Sequence, residues 1–207
     1  MTGAHRPLRE RRICLATHNA GKARENAALL AEYGITVVTA GELGLPVPEE
    51  TETSFIGNAT LKARAAAAAS GMVAMADDSG FSVAALDGAP GVYTADWAVQ
   101  PDGRRDYALA MGKVERLARH SADRGAWFSC ALALAWPDGH VEAFLGEAHG
   151  RWVWPPRGER GFGYDPMFVA EGESLTFGEL DPARKHAISH RAAAFRTLAE
   201  ACLKPGE

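Results

Sequence analysis

A short apolar run, residues 12–17 (RICLAT), passes through a polar loop at residues 18–21 into a segment with helical spacing. This succession constrains the fold more than any other feature of the chain. The run reads as a buried strand. Residues 22–33 carry Ala27, Leu29, Leu30 and Tyr33 between charged positions and predict a helix closed by Gly34. The β-branched residues 35–38 (ITVV) then read as a second strand. Strand, loop, helix and strand in that order point to an α/β protein.

The rest of the chain extends the pattern. Residues 41–53 form an acidic loop rich in Gly, Pro and Glu. Ser54 is a suitable N-cap for an alanine-rich helix over residues 55–70, stopped by Gly71. Residues 72–76 predict an apolar strand that ends at Asp77-Asp78-Ser79-Gly80. Residues 87–92 (DGAPGV) are a turn cluster. Residues 102–120 predict a charged amphipathic helix, and residues 127–136 and 140–154 a hairpin around Pro137-Asp138-Gly139. A glycine-rich loop at 157–163 precedes a strand at 167–170. Asp181-Pro182 reads as a helix cap and first position, and residues 188–203 as a final helix. No repeat or domain boundary is visible. Residues 1–207 therefore read as a single domain, with residues 1–11 as a flexible tail.

Composition narrows the function classes. With 47% hydrophobic and 23% charged residues, the chain can build a core and is not of the disordered kind. A net charge of -4 excludes a nonspecific binder of nucleic acid polymers but leaves room for a local basic pocket. Cys14, Cys130 and Cys202 are far apart and lack metal-ligand spacing, so they read as reduced thiols of a cytoplasmic protein. No apolar run approaches the ~20 residues of a membrane helix, and none near the start suits a signal peptide.

Four clusters have the residue types for chemistry. Thr17-His18-Asn19-Ala20-Gly21-Lys22 lies between a strand and a helix, where outward, unpaired amides and the helix dipole favour an anion and Lys22 adds charge. It is not a Walker A loop: Ala16 stands where that pattern needs Gly, and Ala23 where it needs Ser or Thr. An ordinary turn with a solvated lysine is the other reading. Asp77-Asp78 after an apolar strand is costly unless the acids reach solvent or bind something. Alternation would put one carboxylate forward and the other behind it. Asp78 could hold Mg²⁺ or take a proton from water, and Glu49 or Glu50 could add a metal ligand. A solvent-exposed turn is the alternative.

Gly161-Phe162-Gly163-Tyr164-Asp165-Pro166 offers aromatic faces for a base and a carboxylate for its edge, or else an aromatic core anchor beside a turn. Lys185 with Ser189-His190-Arg191 places cations against a helix dipole, which suggests an anion or acceptor opposite them, or a basic surface patch.

Together THNAGK, DDSG, GFGYDP and KHAISHR resemble the non-canonical purine nucleoside triphosphate pyrophosphatases, the inosine triphosphate pyrophosphatase family, from Ile13 to about Leu203. The resemblance implies a mixed twisted sheet with flanking helices, in two lobes around a central cleft, and a homodimer. It implies Mg²⁺-dependent hydrolysis of ITP, dITP and XTP to the monophosphate and pyrophosphate, cleansing the nucleotide pool. By the same resemblance residues 17–22 form the triphosphate loop and Lys62 is a phosphate contact. Glu50 and Asp78 are metal ligands, and Asp78 is also the proton acceptor, oriented by Asp77, with Ser79 beside it. Phe162, Gly163, Tyr164 and Asp165 match the base segment, and Lys185, His190 and Arg191 the remaining nucleotide contacts.

Some positions depart from the family pattern. Gly57 stands where Glu often precedes Asn-Ala, and Glu52 where Gly commonly follows Glu-Thr. Asp96 replaces a frequent arginine, leaving the cleft edge less basic, and Ala192 replaces a frequent Gly. The rival readings are a Maf-like nucleotide pyrophosphatase of other specificity and a non-catalytic nucleotide-binding module.

Overall fold

The computed structural model describes residues 5–46 and 48–203, apart from the side chain of Ala20. Residues 1–4 of the expected tail and Val47 of the acidic loop lie outside the described residues. Along the chain come β1 (Arg12–Leu15), α1 (Ala20–Ala31), β2 (Thr36–Thr39), α2 (Phe55–Ser70) and β3 (Ala74–Val83). After short 3-10 turns follow α3 (Tyr107–Ala118), β4 (Gly125–Ala135), β5 (Val141–Trp152) and β6 (Phe168–Ala170). The chain closes with α4 (Pro182–Ile188), α5 (His190–Leu198) and a π-helical turn, Ala199–Leu203. The strands form one sheet in the order β2-β1-β3-β4-β5-β6. β1 is parallel to both β2 and β3, while β6 is antiparallel to β5, so the sheet is mixed.

Two compact units divide the described chain, although no boundary was visible in the sequence. The first comprises Met1–Asp78, Ala131–Leu145 and Ala194–Glu207; the second comprises Ser79–Cys130 and Gly146–Ala193. Each is assembled from separated segments, so no linker marks it.

In the first unit β1 is flanked by parallel partners, and Ile13, Cys14 and Leu15 are fully buried, as expected for a strand inside a parallel sheet. α2 behaves as its sequence dictates. Ser54 Oγ accepts the Gly57 amide, and Gly71 ends the helix at φ 66°, a left-handed conformation suited to glycine. Its buried face consists of Asn58, Ala59, Ala63, Ala66 and Ala67. These alanines pack with Cys14, Ala40, Ala74, Ala76, Ala131, Ala133 and Ala135, so this cluster is built of small side chains, although the same unit also buries Ile13, Leu15, Leu30, Met75, Leu132 and Leu134. Residues 5–11, read as part of a flexible tail, are tied down. His5 Nδ1 lies 2.7 Å from Glu142 Oε2, the Leu8 amide donates to the Cys202 carbonyl, and the Thr36 amide donates to Arg11.

The second unit is packed differently. Phe81, Phe128, Trp152, Tyr164, Phe168 and Phe177 fill its core with apolar residues of α3. α3 is shorter than the expected helix over 102–120. Asp106 caps it by accepting the Ala108 and Leu109 amides, while Asp102 turns back onto the Arg104 amide. The expected single helix over 188–203 is also corrected, because Ser189 adopts an extended conformation (ψ 154°) between α4 and α5. Its hydroxyl donates to the His186 carbonyl and accepts the Ala192 amide, closing one helix and opening the next. Asp181 caps α4 ahead of Pro182, as expected.

Candidate active site

The charged residues of the first unit converge. Asn19 caps α1, and its Oδ1 accepts the amides of Gly21 (2.9 Å) and Lys22 (3.2 Å). The Asn19 amide donates to Thr17 Oγ1, and a ring nitrogen of His18 sits 3.1 Å from the Leu45 carbonyl. The Gly21 and Lys22 amides are therefore held by the cap rather than left open, which corrects the expectation of unpaired amides there. Ala20 is the first residue of α1; its side chain lies outside the described part of the structure. Lys22 Nζ reaches Asp77 Oδ2 at 3.0 Å, so this lysine is turned inward and is not a solvated turn residue.

β3 does not end at the acids: it runs to Val83 through Asp77-Asp78-Ser79-Gly80. Asp77 and Asp78 are 3% and 6% exposed, which excludes the exposed-turn reading. Two adjacent buried carboxylates in mid-strand are tolerable because each faces a different lysine. Asp77 takes Lys22, whereas Asp78 Oδ1 lies 3.4 Å from Lys62 Nζ. Lys62 also donates to Glu50 Oε1 at 2.8 Å, so one ammonium joins the acidic loop to β3. Asp78 Oδ2 accepts from Asn58 Nδ2 at 3.2 Å.

Burial pushes the Asp78 carboxyl above the usual carboxylate range, and Lys62, Lys22 and Asn58 only partly offset it while Glu50 adds to it. For Lys62, burial pulls the ammonium down. The charges of Asp78 and Glu50, with the Glu50 hydrogen bond, outweigh this and hold it above its ordinary value. Glu50 and Asp78 thus present carboxylate oxygens to a single cation. Such a donor set fits Mg²⁺, which takes one or two protein carboxylates and completes its shell with water and phosphate oxygens.

Gly57 and Glu52, two of the departures from the pattern the chain resembles, lie against each other. A Cβ at Gly57 would lie 2.7 Å from the Glu52 Cβ and 3.0 Å from Ser54 Oγ. A side chain at 57 would force Glu52 to shift.

In the second unit Asp165 is 3% exposed, accepts the Phe162 amide at 2.8 Å and pairs with Lys185 Nζ at 2.5 Å. Lys185 also lies 5.2 Å from the centroid of the Phe162 ring, which is 48% exposed. Gly161 permits this arrangement: at φ +77°, a Cβ there would meet Asp165 Oδ2 at 2.1 Å. Gly163 is likewise left-handed and lies beside the Tyr107 ring. Tyr164 is corrected from base contact to core anchor. It is 1% exposed, stacked 5.0 Å from Phe81, and donates its hydroxyl to the Thr94 carbonyl. Burial pushes its phenol well above the ordinary value.

His190 and Arg191 are 6% and 4% exposed and open α5, so they are not a surface patch. The His190 ring stacks on Phe128 at 4.9 Å. Ser79, half-buried, follows Asp78 on β3. Asn58 is the residue that sequence reasoning left out. Its signal was a weak helix former on an otherwise alanine face.

Residues 13–201 match the model of the Ham1 family. The chain belongs to that family. A dITP/XTP pyrophosphatase from Rhodospirillum centenum is 58% identical over 92% of this chain and 94% of its own length. One of the same name from Gluconobacter oxydans is 56% identical over 93% and 91%. Among solved structures, a HAM1 protein from Coxiella burnetii superposes with TM-score 0.85 at 37% identity, covering 91% of this chain and 96% of its own. A nucleoside-triphosphatase/dITP/XTP pyrophosphatase from Mycobacterium abscessus gives TM-score 0.73 at 37% identity over 91% and 97%. The family reached through four short motifs and the family reached by whole-chain comparison agree, and the mixed sheet is the Ham1 fold. Among the described residues no helix is long and apolar enough to cross a membrane.

Proposed function

We propose that this Ham1 protein hydrolyses the non-canonical purine nucleoside triphosphates dITP, XTP and ITP to the monophosphate and pyrophosphate, clearing them from the nucleotide pool. One observation carries the reading: two adjacent buried carboxylates, Asp77 and Asp78, each face a lysine, and the second lysine also holds Glu50. The names of the curated relatives point the same way.

Lys22 and Lys62 supply fixed positive charge for the triphosphate. Asp78 accepts a proton from water while the water oxygen bonds to the α-phosphorus. The bond from that phosphorus to the bridging oxygen breaks, and its electrons leave on pyrophosphate. Mg²⁺ held by Glu50 and Asp78 would supply the charge that steadies phosphate oxygens and leaving group. Stabilisation of this sort is mostly preorganised electrostatics.

For the base, the exposed Phe162 ring offers a stacking face, with Asp165 and Lys185 beside it. Donors from His190 and Arg191 suit the 6-keto oxygen of hypoxanthine and xanthine. The 6-amino group of adenine would set donor against donor, and an unmatched polar site discriminates by ~10⁴ or more.

The test is pyrophosphate release from ITP, XTP, dITP, GTP, ATP and UTP, with and without Mg²⁺. The expected result is Mg²⁺-dependent release from dITP, XTP and ITP far above ATP. Equal turnover of ATP and ITP would remove the base-reading role, preference for UTP would favour a Maf-like enzyme, and tight binding without release would leave only a binding module. A homodimer and a cytoplasmic location complete the proposal. Sedimentation equilibrium checks the former, and a monomer mass at micromolar concentration would refute it.

A further inference from the structure

We propose that Asn58 is a positioning residue for this reaction, one half of its carboxamide aiming the Asp78 carboxylate and the other half fastening the acidic loop. The inference rests on the reading of Asp78 as the water-activating group. Asn58 is 2% exposed in the first turn of α2, on the face otherwise made of alanines. Alanine there would favour the helix and bury no polar group, so a carboxamide is costly unless both its ends are satisfied. They are. Nδ2 donates to Asp78 Oδ2 at 3.2 Å, and Oδ1 accepts the Glu52 amide at 3.1 Å. These partners also decide which end is which, since a backbone N–H only donates and an ionised carboxylate only accepts.

Lys62 stands four residues further along the same helix, on the same side. Its Nζ addresses Asp78 Oδ1, while Asn58 addresses Oδ2. Both oxygens of one carboxylate are thus held from a single rigid helix, which sets the carboxylate plane. The two residues also hold the loop at two points, Lys62 at the Glu50 side chain and Asn58 at the Glu52 backbone. Their roles differ in charge. Lys62 neutralises, whereas the neutral Asn58 donor orients Asp78 without cancelling the charge that must receive a proton. Asn58 therefore couples the geometry of the loop carrying Glu50 to that of the proton acceptor.

The two halves can be separated. Asn58→Asp keeps an acceptor for Glu52 but turns a carboxylate on Asp78; Asn58→Ala removes both contacts. Steady-state kinetics with dITP and amide hydrogen exchange of nucleotide-free protein read the halves independently. For Asn58→Asp the expected result is a kcat lower by ~10²-fold with Glu52 exchange unchanged, the scale on which misplacing a reacting group slows an enzyme. For Asn58→Ala, Glu52 exchange accelerates, KM rises, and kcat falls by ~10-fold, the scale of losing one hydrogen bond to a charged group. A kcat within about threefold of wild type in both variants, or unchanged Glu52 exchange in Asn58→Ala, overturns the proposal. If Asn58→Asp does not fold, Asn58→Ser carries the test. Its hydroxyl is too short to span both partners, so it should follow Asn58→Ala. Exchange needs no substrate, and wild-type turnover of dITP tests the pyrophosphatase reading separately, so the two failures are distinguishable.

Discussion

Two buried clusters, one in each unit, are built from opposite materials. The cluster in the first unit joins α2 to its strands through alanines, although that unit also buries Ile13, Leu15, Leu30 and Met75, and the cluster in the second is filled by large aromatic rings. Regular elements explain the first. Helices and parallel strands satisfy their own backbone groups, so small side chains suffice and backbones can come close together. Lys62 and Asn58, projecting from α2, then reach Asp78 directly. The second unit includes long irregular stretches on either side of β6, which lack ladders to hold them. Tyr164 and Phe177 come from those stretches and lock onto Phe81, Phe128 and Phe168 at centroid distances of 4.8–5.9 Å. Aromatics bury much area per residue and fix orientation, which loops cannot do for themselves. Lys22, Lys62, Asp77 and Asp78 sit on helix and strand and tie Glu50 in from a loop, while the candidate base segment sits on a loop stapled by rings.

Substitutions that act on one unit at a time would break or sharpen this contrast. Asp78→Asn should cost ~10²–10⁴-fold or more in turnover, with circular dichroism unchanged; near-normal turnover would remove Asp78 from the reaction. Phe168→Ala in the aromatic core should lower unfolding stability by about 3–5 kcal/mol in denaturant titration. A loss under about 1 kcal/mol would mean the rings do not hold that unit.

Gly57→Ala at the start of α2 has two opposed effects. Helix propensity gains about 1 kcal/mol, but the collision with the Glu52 Cβ costs about 1–3 kcal/mol. We expect net destabilisation by itself and stabilisation when combined with Glu52→Gly. Additive effects of the two changes in a double-mutant cycle would show that the positions are not coupled. Tyr164→Phe should cost about 0.5–1.5 kcal/mol, the loss of its bond to Thr94, with KM for dITP unchanged. A large rise in KM would return Tyr164 to the base site.

The smallest effect concerns the N-terminal segment. At Glu142 burial raises the pKa, but the hydrogen bonds from His5, the Arg6 amide and His140 outweigh it, and the net shift is downward. The folded value lies below the unfolded one, so this carboxylate contributes stability above about pH 4.5 that is lost as pH falls through its depressed value. Glu142→Gln should therefore lower stability slightly at neutral pH, by at most about 1 kcal/mol given the partly exposed partners. The difference from wild type should vanish in acid. A difference independent of pH would show that packing, not charge, is responsible.

Much of this was legible locally. α2 could be read from Ser54 to Gly71 because both caps are short-range. The acids, lysines and aromatic loop could be found as residue types in order. What was misread had no local sign. β3 seemed to stop at Asp77 because a strand interior does not hold two acids unless distant lysines come to meet them. The helix break at Ser189 is marked by no glycine or proline, only by a hydroxyl that serves two helices at once. Tyr164 and Phe162 stand two residues apart in one motif, yet one ring is buried and the other half-exposed.

From its order of residues alone, then, this chain specified its α/β class, its capped helices and the inventory of charged groups, because propensity, capping and spacing act over a few residues. Which lysine faces which carboxylate, which aromatic is core and which is surface, and where the two units divide were decided only on folding. Those outcomes depend on burial, and burial is a property of what the rest of the chain brings alongside.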